Sequence, residues 1–438
     1  MRSGLLGCVS ALALATLASG AQAQAYRVPG DQTADFGVAM GDRTGLFARG
    51  RNVGVVQRPR PEWDARGLRW QSLMVRPTVS LGVTSDDNIF AKAIEQADAI
   101  VSVRPAVLVE SDWALHAVSA FARLDSRSYL DHPREDAVDW ALGANGRFDA
   151  SRGSSLQGGA SYEQATEPRT SVSAPASAAE PVRYKVGKVY VGGVKDFSRV
   201  RVSTALDVRD LDYASVDGIG GGKVVGPDRD RVSTTLGGRA EYAISGATSV
   251  FVAAAGNVRN YKSGTGPASR DSQGVDLSFG ASFDLTSLIR GDVAVGYSRQ
   301  TYDSSAFKDV NGASVRGKVE YFPTSLLTIS ATAAQSIEET DFAGAAGFLL
   351  TSGQLRADYE FRRNILLSGR VGYQENDFKG VINRTDKRPS AGLGVNYLLN
   401  RSVGLEGGYE WIKQASSGSQ QGADFSSNRF YLTTTYKF

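Results

Sequence analysis

Apolar and polar side chains alternate along most of this chain, from about residue 71 to residue 438. In residues 429–438 one face is largely apolar and carries Phe430, Leu432, Thr434, Tyr436 and Phe438. The opposite face carries Arg429, Tyr431, Thr433, Thr435 and Lys437. Successive side chains of a strand point to opposite sides, so this period predicts β-strands with one apolar and one polar face.

The same alternation begins near residue 71 and is clearest in the C-terminal half, for example in residues 315–321 and 403–411. Two early strands each contain Val-Arg-Pro, with Pro77 and Pro105 on the apolar face. Proline has no N–H to donate to a ladder and is tolerated at strand starts, edges and bulges. We therefore expect these two strands to bend or to begin their pairing at the prolines.

Strand starts are predicted near residues 71, 99, 113, 139, 154, 183, 198, 231, 248, 274, 290, 313, 326, 353, 364, 388, 402 and 429. This gives about 18 strands, an even number that lets the first and last strands pair antiparallel and close the sheet. Alternation is weaker between residues 113 and 194, so about 16 strands stays open.

The connections between strands alternate in length. Short turns are predicted in residues 245–249, 286–290, 323–325, 362–364 and 400–401. Longer polar loops are predicted in residues 262–273, 304–312, 338–352, 376–387 and 414–427. Turns then lie at one end of the sheet and loops at the other, as in transmembrane barrels with short periplasmic turns and long external loops. We predict an all-β transmembrane antiparallel up-and-down β-barrel in residues 71–438.

Aromatic residues and composition agree with a membrane location. The turn ends of the strands carry Tyr242, Phe283, Tyr321, Phe361, Tyr397 and Phe438, and the loop ends carry Tyr297, Tyr373, Tyr409 and Trp411. Such rings favour the two membrane interfaces, so outer-membrane lipid is an expected partner. Lys plus Arg number 49 and Asp plus Glu 46, a near-neutral balance that indicates no nucleic-acid partner.

The first 70 residues do not follow the strand pattern. Residues 1–23 read as a signal peptide, with Arg2, an apolar run and Ala21-Gln22-Ala23 as the site of cleavage after Ala23. The only cysteine, Cys8, would leave with it. Residues 24–70 are predicted to be a periplasmic extension. It is either a disordered tail, a plug for the lumen, or a contact for a periplasmic partner.

The polar faces carry both charge signs. The lumen-facing candidates are Arg76, Arg104, Arg201, Arg209, Arg239, Arg316, Lys318, Glu320, Arg356, Asp358, Glu360, Arg370, Glu406 and Glu410. They form either a hydrated wall whose charges pair across strands, or a lumen that passes a bulky polar solute. Only His116 and His132 could serve as histidine catalysts, and His132 is expected to be a solvated loop residue. We predict no catalytic residue, metal site or cofactor.

Two stretches carry a family resemblance. Residues 58–64, Gly67, Pro77 and Asp86-Asp87-Asn88-Ile89-Phe90 near the start, and residues 397–402 and 408–411 near the end, resemble the putative β-barrel porin family of Gram-negative outer-membrane proteins. The resemblance implies a non-enzymatic barrel, often encoded with exopolysaccharide export systems, and hence a conduit for secreted polysaccharide with periplasmic export proteins as partners. A general diffusion porin and a plugged structural or adhesive anchor remain alternatives.

The closing strand carries a second resemblance. An ending with Phe430, Leu432, Tyr436 and Phe438 at alternate positions is similar to the last strand of outer-membrane proteins. The resemblance implies that the outer-membrane assembly machinery recognises this strand as its signal.

Overall fold

The computed structural model shows a closed antiparallel β-barrel. The residues it describes are 53–224, 226–263, 269–286, 288–340, 347–379 and 383–438. The predicted signal peptide and the first part of the predicted extension lie outside these residues. The main sheet has 19 strands, of which one is the short strand β1 (Leu68–Trp70) and the other 18 form the wall. The predicted fold class and the higher strand count are therefore confirmed.

The wall strands are β2 (Leu73–Asp86), β3 (Asp98–Ser111), β4 (Ala117–Tyr129), β5 (Ala137–Ser151), β6 (Ser154–Thr166), β7 (Arg183–Phe197), β8 (Val200–Tyr213), β11 (Arg231–Ala243), β12 (Thr248–Tyr261), β13 (Ser272–Leu285), β14 (Ile289–Tyr302), β15 (Val310–Thr324), β16 (Leu327–Glu339), β17 (Gly347–Arg362), β18 (Ile365–Lys379), β19 (Arg384–Leu398), β20 (Val403–Gly418) and β21 (Phe425–Lys437). A separate small hairpin pairs β9 (Val216–Asp217) with β10 (Lys223–Val224). Within the described residues no helix is long and apolar enough to cross a membrane.

The apolar faces of the wall strands point outward. Val295 and Leu393, in the middle of their strands, are 63% and 67% exposed. Residues at the alternate positions of the wall strands point inward, and Asp276 of β13 and Arg316 of β15, for example, pair with one another there. A soluble sheet would bury its aliphatic face, so this outer surface fits a hydrocarbon environment.

The first and last wall strands close the barrel. β2 pairs with β21 from Thr78 opposite Lys437 to Asp86 opposite Arg429, as the sequence predicted. The pairing starts one residue after Pro77, whose carbonyl accepts a 3.2 Å hydrogen bond from the Phe438 amide. In β3 the ladder to β4 is interrupted around Pro105. Pairing of β2 with β21 thus begins beside Pro77, and pairing of β3 with β4 is interrupted at Pro105, as the sequence predicted.

The external end of this seam is held by side chains of the Asp86-Asp87-Asn88 stretch. Asp87 accepts hydrogen bonds of 2.7 and 2.6 Å from the backbone and side-chain nitrogens of Asn428. Asp86 accepts one of 2.6 Å from Arg429, and Asn88 donates one of 2.8 Å to the carbonyl of Ser426. Part of the family resemblance thus coincides with contacts that join the first strand to the last.

The periplasmic end of the seam is extended by β1. This strand pairs with the first residues of β2, with Leu68 opposite Val75 and Trp70 opposite Leu73. The Gly67 amide donates a 3.2 Å hydrogen bond to the Phe438 carbonyl. Strand β1 therefore follows β21 along the same edge of β2. The partner edge of β2 is thereby covered beyond the last residue of β21, which matters because open sheet edges are not tolerated in lipid.

Turns and loops segregate to opposite ends of the barrel. Residues 325–326 and 363–364 are tight turns, whereas residues 167–182 and 214–230 are long connections. We take the turn end as periplasmic and the loop end as external. Exposed rings lie at the turn end, namely Tyr242, Tyr321, Phe361, Tyr397 and Phe438, together with Trp70 and Trp113.

Three predicted loops are shorter in the structure than in the sequence prediction. Strand β16 runs to Glu339 and β17 starts at Gly347, so most of the predicted loop 338–352 is ladder. The same correction applies to the predicted loops 376–387 and 414–427. Here the strands extend beyond the apolar belt, and the outward positions no longer need apolar side chains. The ladder therefore continues where the alternation stops.

Candidate functional site: the lumen and the loop that crosses it

The register places each sequence-predicted lumen residue on the inner face of its strand. These residues are Arg76, Arg104, Arg201, Arg209, Arg239, Arg316, Lys318, Glu320, Arg356, Asp358, Glu360, Arg370, Glu406 and Glu410. Their side chains share that face with the buried polar residues of neighbouring strands. The inner wall is consequently hydrophilic where these residues lie.

Opposite charges pair across strands on this wall. Arg104 lies 3.1 Å from Asp125 on the next strand, and Arg316 lies 2.9 Å from Asp276 two strands away. Arg239 reaches Asp292 at 2.9 Å, three strands away. Further pairs across strands are Arg76 with Glu110, Arg201 with Asp196, and Arg370 with Glu410. Arg209 with Asp207 and Arg356 with Asp358 are pairs within one strand. Such pairs largely cancel each other's field, so the lining is polar without a dominant charge sign.

One external connection enters the lumen. In residues 167–182, between β6 and β7, the side chain of Val172 is 3% exposed and packs with Phe348, Leu350 and Phe378. These partners lie on the inner faces of β17 and β18. Counted from β2, β6 is the fifth and β17 the fourteenth of the 18 wall strands, so the loop reaches the opposite wall. It crosses the lumen.

Two buried ion pairs hold the base of this loop. Arg229 donates hydrogen bonds of 2.8 and 2.9 Å to the two carboxylate oxygens of Glu167, which is 1% exposed. Arg169 contacts both oxygens of Glu135 at 2.9 and 2.6 Å. Bidentate pairs of this kind fix geometry as well as charge. The loop is therefore tied to the two external connections that carry Arg229 and Glu135.

The end of the β16–β17 hairpin bends inward towards the same region. Pairing of β16 with β15 stops at Val315 opposite Gln335. Beyond that point Ile337 packs against Tyr302 and Val310, which point into the lumen. Glu339 of the same hairpin forms an ion pair with the buried Arg259. The external mouth is thus occupied by this hairpin as well as by the β6–β7 loop.

At the periplasmic end, the described part of the N-terminal extension binds the inner rim of the wall. Arg60 is 5% exposed and lies 2.9 Å from Glu360, which also accepts a 3.2 Å bond from Arg58. The Val55 amide donates a 3.0 Å hydrogen bond to Thr328 Oγ1. Burial lowers the pKa of the Arg60 guanidinium, and the Glu360 carboxylate opposes that effect. Residues 53–67 therefore lie against the wall at β16 and β17 and continue to the seam.

The sequence did not anticipate two features of the external side. His132 was expected to be solvated, but its Nδ1 lies 2.9 Å from Asp98 Oδ2 and its ring meets Phe90 edge to face. The sequence around Val172 is rich in Ser, Ala and Pro, and no pattern in it predicts that Val172 contacts the far side of the lumen. Only the charges of Glu167 and Arg169 hinted at fixed contacts. Among the residues whose positions are described, no cluster of His, Cys, Asp or Glu is suited to a metal ion.

A closed wall of strands, apolar outside and charged inside, defines a transmembrane β-barrel. The chain belongs to the family described as "Putative beta-barrel porin 2", whose sequence profile matches residues 60–438, so the predicted membership of a β-barrel porin family is confirmed. The protein is accordingly an outer-membrane barrel of porin type. No curated protein matches the sequence.

Solved outer-membrane barrels are similar to this chain at low identity. Acinetobacter baumannii OccAB3 shares 13% identity with a TM-score of 0.46, over 84% of this chain and 100% of that one. The outer membrane protein opdK from Pseudomonas aeruginosa shares 11%, with a TM-score of 0.45, over 83% and 99% of the two chains. The ferric enterobactin receptor PfeA from Pseudomonas aeruginosa shares 7%, with a TM-score of 0.47, over 83% and 80%.

Proposed function

We propose that this protein is a non-enzymatic outer-membrane channel for a bulky, hydroxyl-rich solute, and that this solute is a secreted polysaccharide. The observation that carries the proposal is the lining of paired charges, exemplified by Arg104 with Asp125 and Arg316 with Asp276. Paired arginines and carboxylates offer donors and acceptors to sugar hydroxyls while creating little net field. A sugar chain can then exchange many weak contacts along the wall.

The β6–β7 loop restricts what can pass. Because Val172 reaches the opposite wall, a polymer has to pass beside the loop or displace it. Residues 53–67 restrict the periplasmic mouth in a similar way through Arg60 and Glu360. Both restrictions support a conduit that opens when a polymer or a periplasmic export protein engages it. Assembly of the barrel through recognition of β21 by the outer-membrane machinery belongs to the same proposal.

A general diffusion porin is the second candidate. The family description names porins, and small solutes need not displace the loop to pass beside it. Such a porin would conduct steadily whether or not polysaccharide is present. The conduit would conduct weakly until the loop or the N-terminal segment is altered.

Planar-bilayer recordings test the channel. Purified protein is compared with a variant lacking residues 24–67, which leaves β1 at the seam, with and without purified exopolysaccharide on one side. We expect larger conductance in the deletion variant and reversible block of its current by the polysaccharide. Steady currents of equal size in both proteins, insensitive to polysaccharide, would favour the diffusion porin. Silence of both proteins, and of a variant with a shortened β6–β7 loop, would leave only the plugged anchor.

A further inference from the structure

Lys318 differs from the other inward-facing cations. It lies in the middle of β15 and its side chain is 53% exposed. The other inward-facing wall cations for which an ion pair is described are 33% exposed or less, the highest being Arg147. Lys318 shares its face with Arg316 and Glu320, so this exposure is to the lumen.

The carboxylates nearest to Lys318 are already bonded to arginines. Its Nζ lies 3.9 Å from Glu320, beyond ordinary hydrogen-bond length, while Glu320 accepts bonds of 2.8 and 2.7 Å from Arg290. Asp292, its cross-strand neighbour on β14, accepts a 2.9 Å bond from Arg239. An ammonium group has three donors and no acceptor, so Lys318 retains capacity for a further negative partner.

On the next two strands, the positions in register with Lys318 carry uncharged polar residues. Lys318 is opposite Thr332 on β16, and Thr332 is opposite Gln354 on β17. Both side chains are exposed on the inner face. The next inward position on β16 is Ala334, which is small and leaves the row accessible. Ammonium, hydroxyl and amide groups therefore lie side by side, facing the lumen.

We propose that Lys318, Thr332 and Gln354 form a contact site for a saccharide that carries carboxylate groups. The Lys318 ammonium would pair with the carboxylate, and Thr332 and Gln354 would bond to neighbouring hydroxyls. Lys318 would thereby bias an otherwise charge-balanced lumen towards anions. This inference rests on the proposed channel function and names the chemical class of its solute.

Ion selectivity provides the first test. Reversal potentials in a KCl gradient are recorded for wild type, Lys318→Gln, Lys318→Glu and the control Lys413→Gln, which removes a lysine from the outer face of β20. We expect the anion-to-cation permeability ratio to fall several-fold in Lys318→Gln and to invert in Lys318→Glu, with the control unchanged. A wild-type ratio in Lys318→Glu would overturn the proposal.

Binding provides the second test and does not need conduction. Calorimetry in detergent compares an oligogalacturonate with a neutral maltooligosaccharide, after heat-modifiability on gels has shown that each variant is folded. We expect Lys318→Gln to weaken oligogalacturonate binding about tenfold, equivalent to about 1.4 kcal/mol, and to change maltooligosaccharide binding little. If the wild type, the variant lacking residues 24–67 and the variant with the shortened β6–β7 loop are all silent in bilayers, the channel proposal fails while this comparison still decides the site. Equal oligogalacturonate binding by wild type and variant, or no binding by either, would overturn it.

Discussion

Val172 of the β6–β7 loop packs against Phe348 of β17, a strand nine positions away from β6 around the barrel. The two side chains are 3% and 0% exposed, although the surrounding lumen is polar. Complete burial of an aliphatic side chain is worth about 1.5–3 kcal/mol. An apolar contact of this size inside a hydrophilic lumen indicates that the β6–β7 loop is held in one position against β17 and β18.

Replacing Val172 with Asp should detach the tip of the loop. A carboxylate cannot be buried against Phe348 and Phe378 without a partner, so the tip should move into water. We expect faster hydrogen exchange and proteolysis in residues 167–182, with the thermal transition of the barrel little changed. The matched control is Ile219→Asp in the β8–β11 loop, where the side chain is 61% exposed. Equal protection of the loop in Val172→Asp and wild type would contradict the assigned contact.

Replacing Glu167 with Gln should loosen the base of the same loop. The substitution removes one charge of a buried pair and leaves Arg229 without it, a change that typically costs 3–5 kcal/mol. Hydrogen exchange in residues 167–182 should rise by orders of magnitude if that energy holds the loop in place. Lys223→Gln breaks the exposed pair with Asp217 and should have no measurable effect. Similar exchange rates for the two variants would argue against the buried pair as the anchor.

Replacing Asp87 with Ala should weaken the seam. Asp87 accepts two hydrogen bonds from Asn428, and bonds to charged groups are worth about 1.5–3 kcal/mol each. We expect the heat-modified band on gels to appear at a lower temperature than for wild type. The control is Asp112→Ala, which removes an exposed pair with Arg69 at the periplasmic end. A lower transition in the control but not in Asp87→Ala would place the stabilising contacts elsewhere.

Replacing Arg60 with Ala should release the N-terminal segment from the rim. The substitution removes the most buried cation of that contact and leaves Glu360, at 3% exposed, with Arg58 alone. Proteinase K added to the periplasmic side of oriented vesicles should then cleave within residues 53–67 sooner than in wild type. Arg66→Ala, at an exposed position, is the control. Unchanged protection in Arg60→Ala would show that the segment is held by other contacts.

The sequence predicted the wall well because lipid imposes strict alternation on it. The strands that begin at Ser154, Arg183, Arg231 and Thr248 start where the pattern placed them. Closure of β2 on β21 followed from the even strand count. At the external side the predicted strands were too short, because alternation stops there while the ladder continues.

The contents of the lumen were less accessible to sequence reasoning. The inward residues could be named, but the carboxylate that each arginine reaches depends on register, as Arg239 with Asp292 shows. The β6–β7 loop has no period, and Val172 meets a wall that is remote in the sequence. The position of this loop inside the lumen could therefore be seen only in the structure.

Single-channel conductance before and after shortening the β6–β7 loop tests the central claim most directly. Residues 170–180 are replaced by a short Gly-Ser linker, which keeps Glu167 and Arg169 at the base and removes Val172 from the opposite wall. We predict small or rare openings for the wild type and a severalfold larger, stable conductance for the shortened variant. Equal conductance of the two proteins, or none from either, would contradict a channel whose lumen this loop restricts.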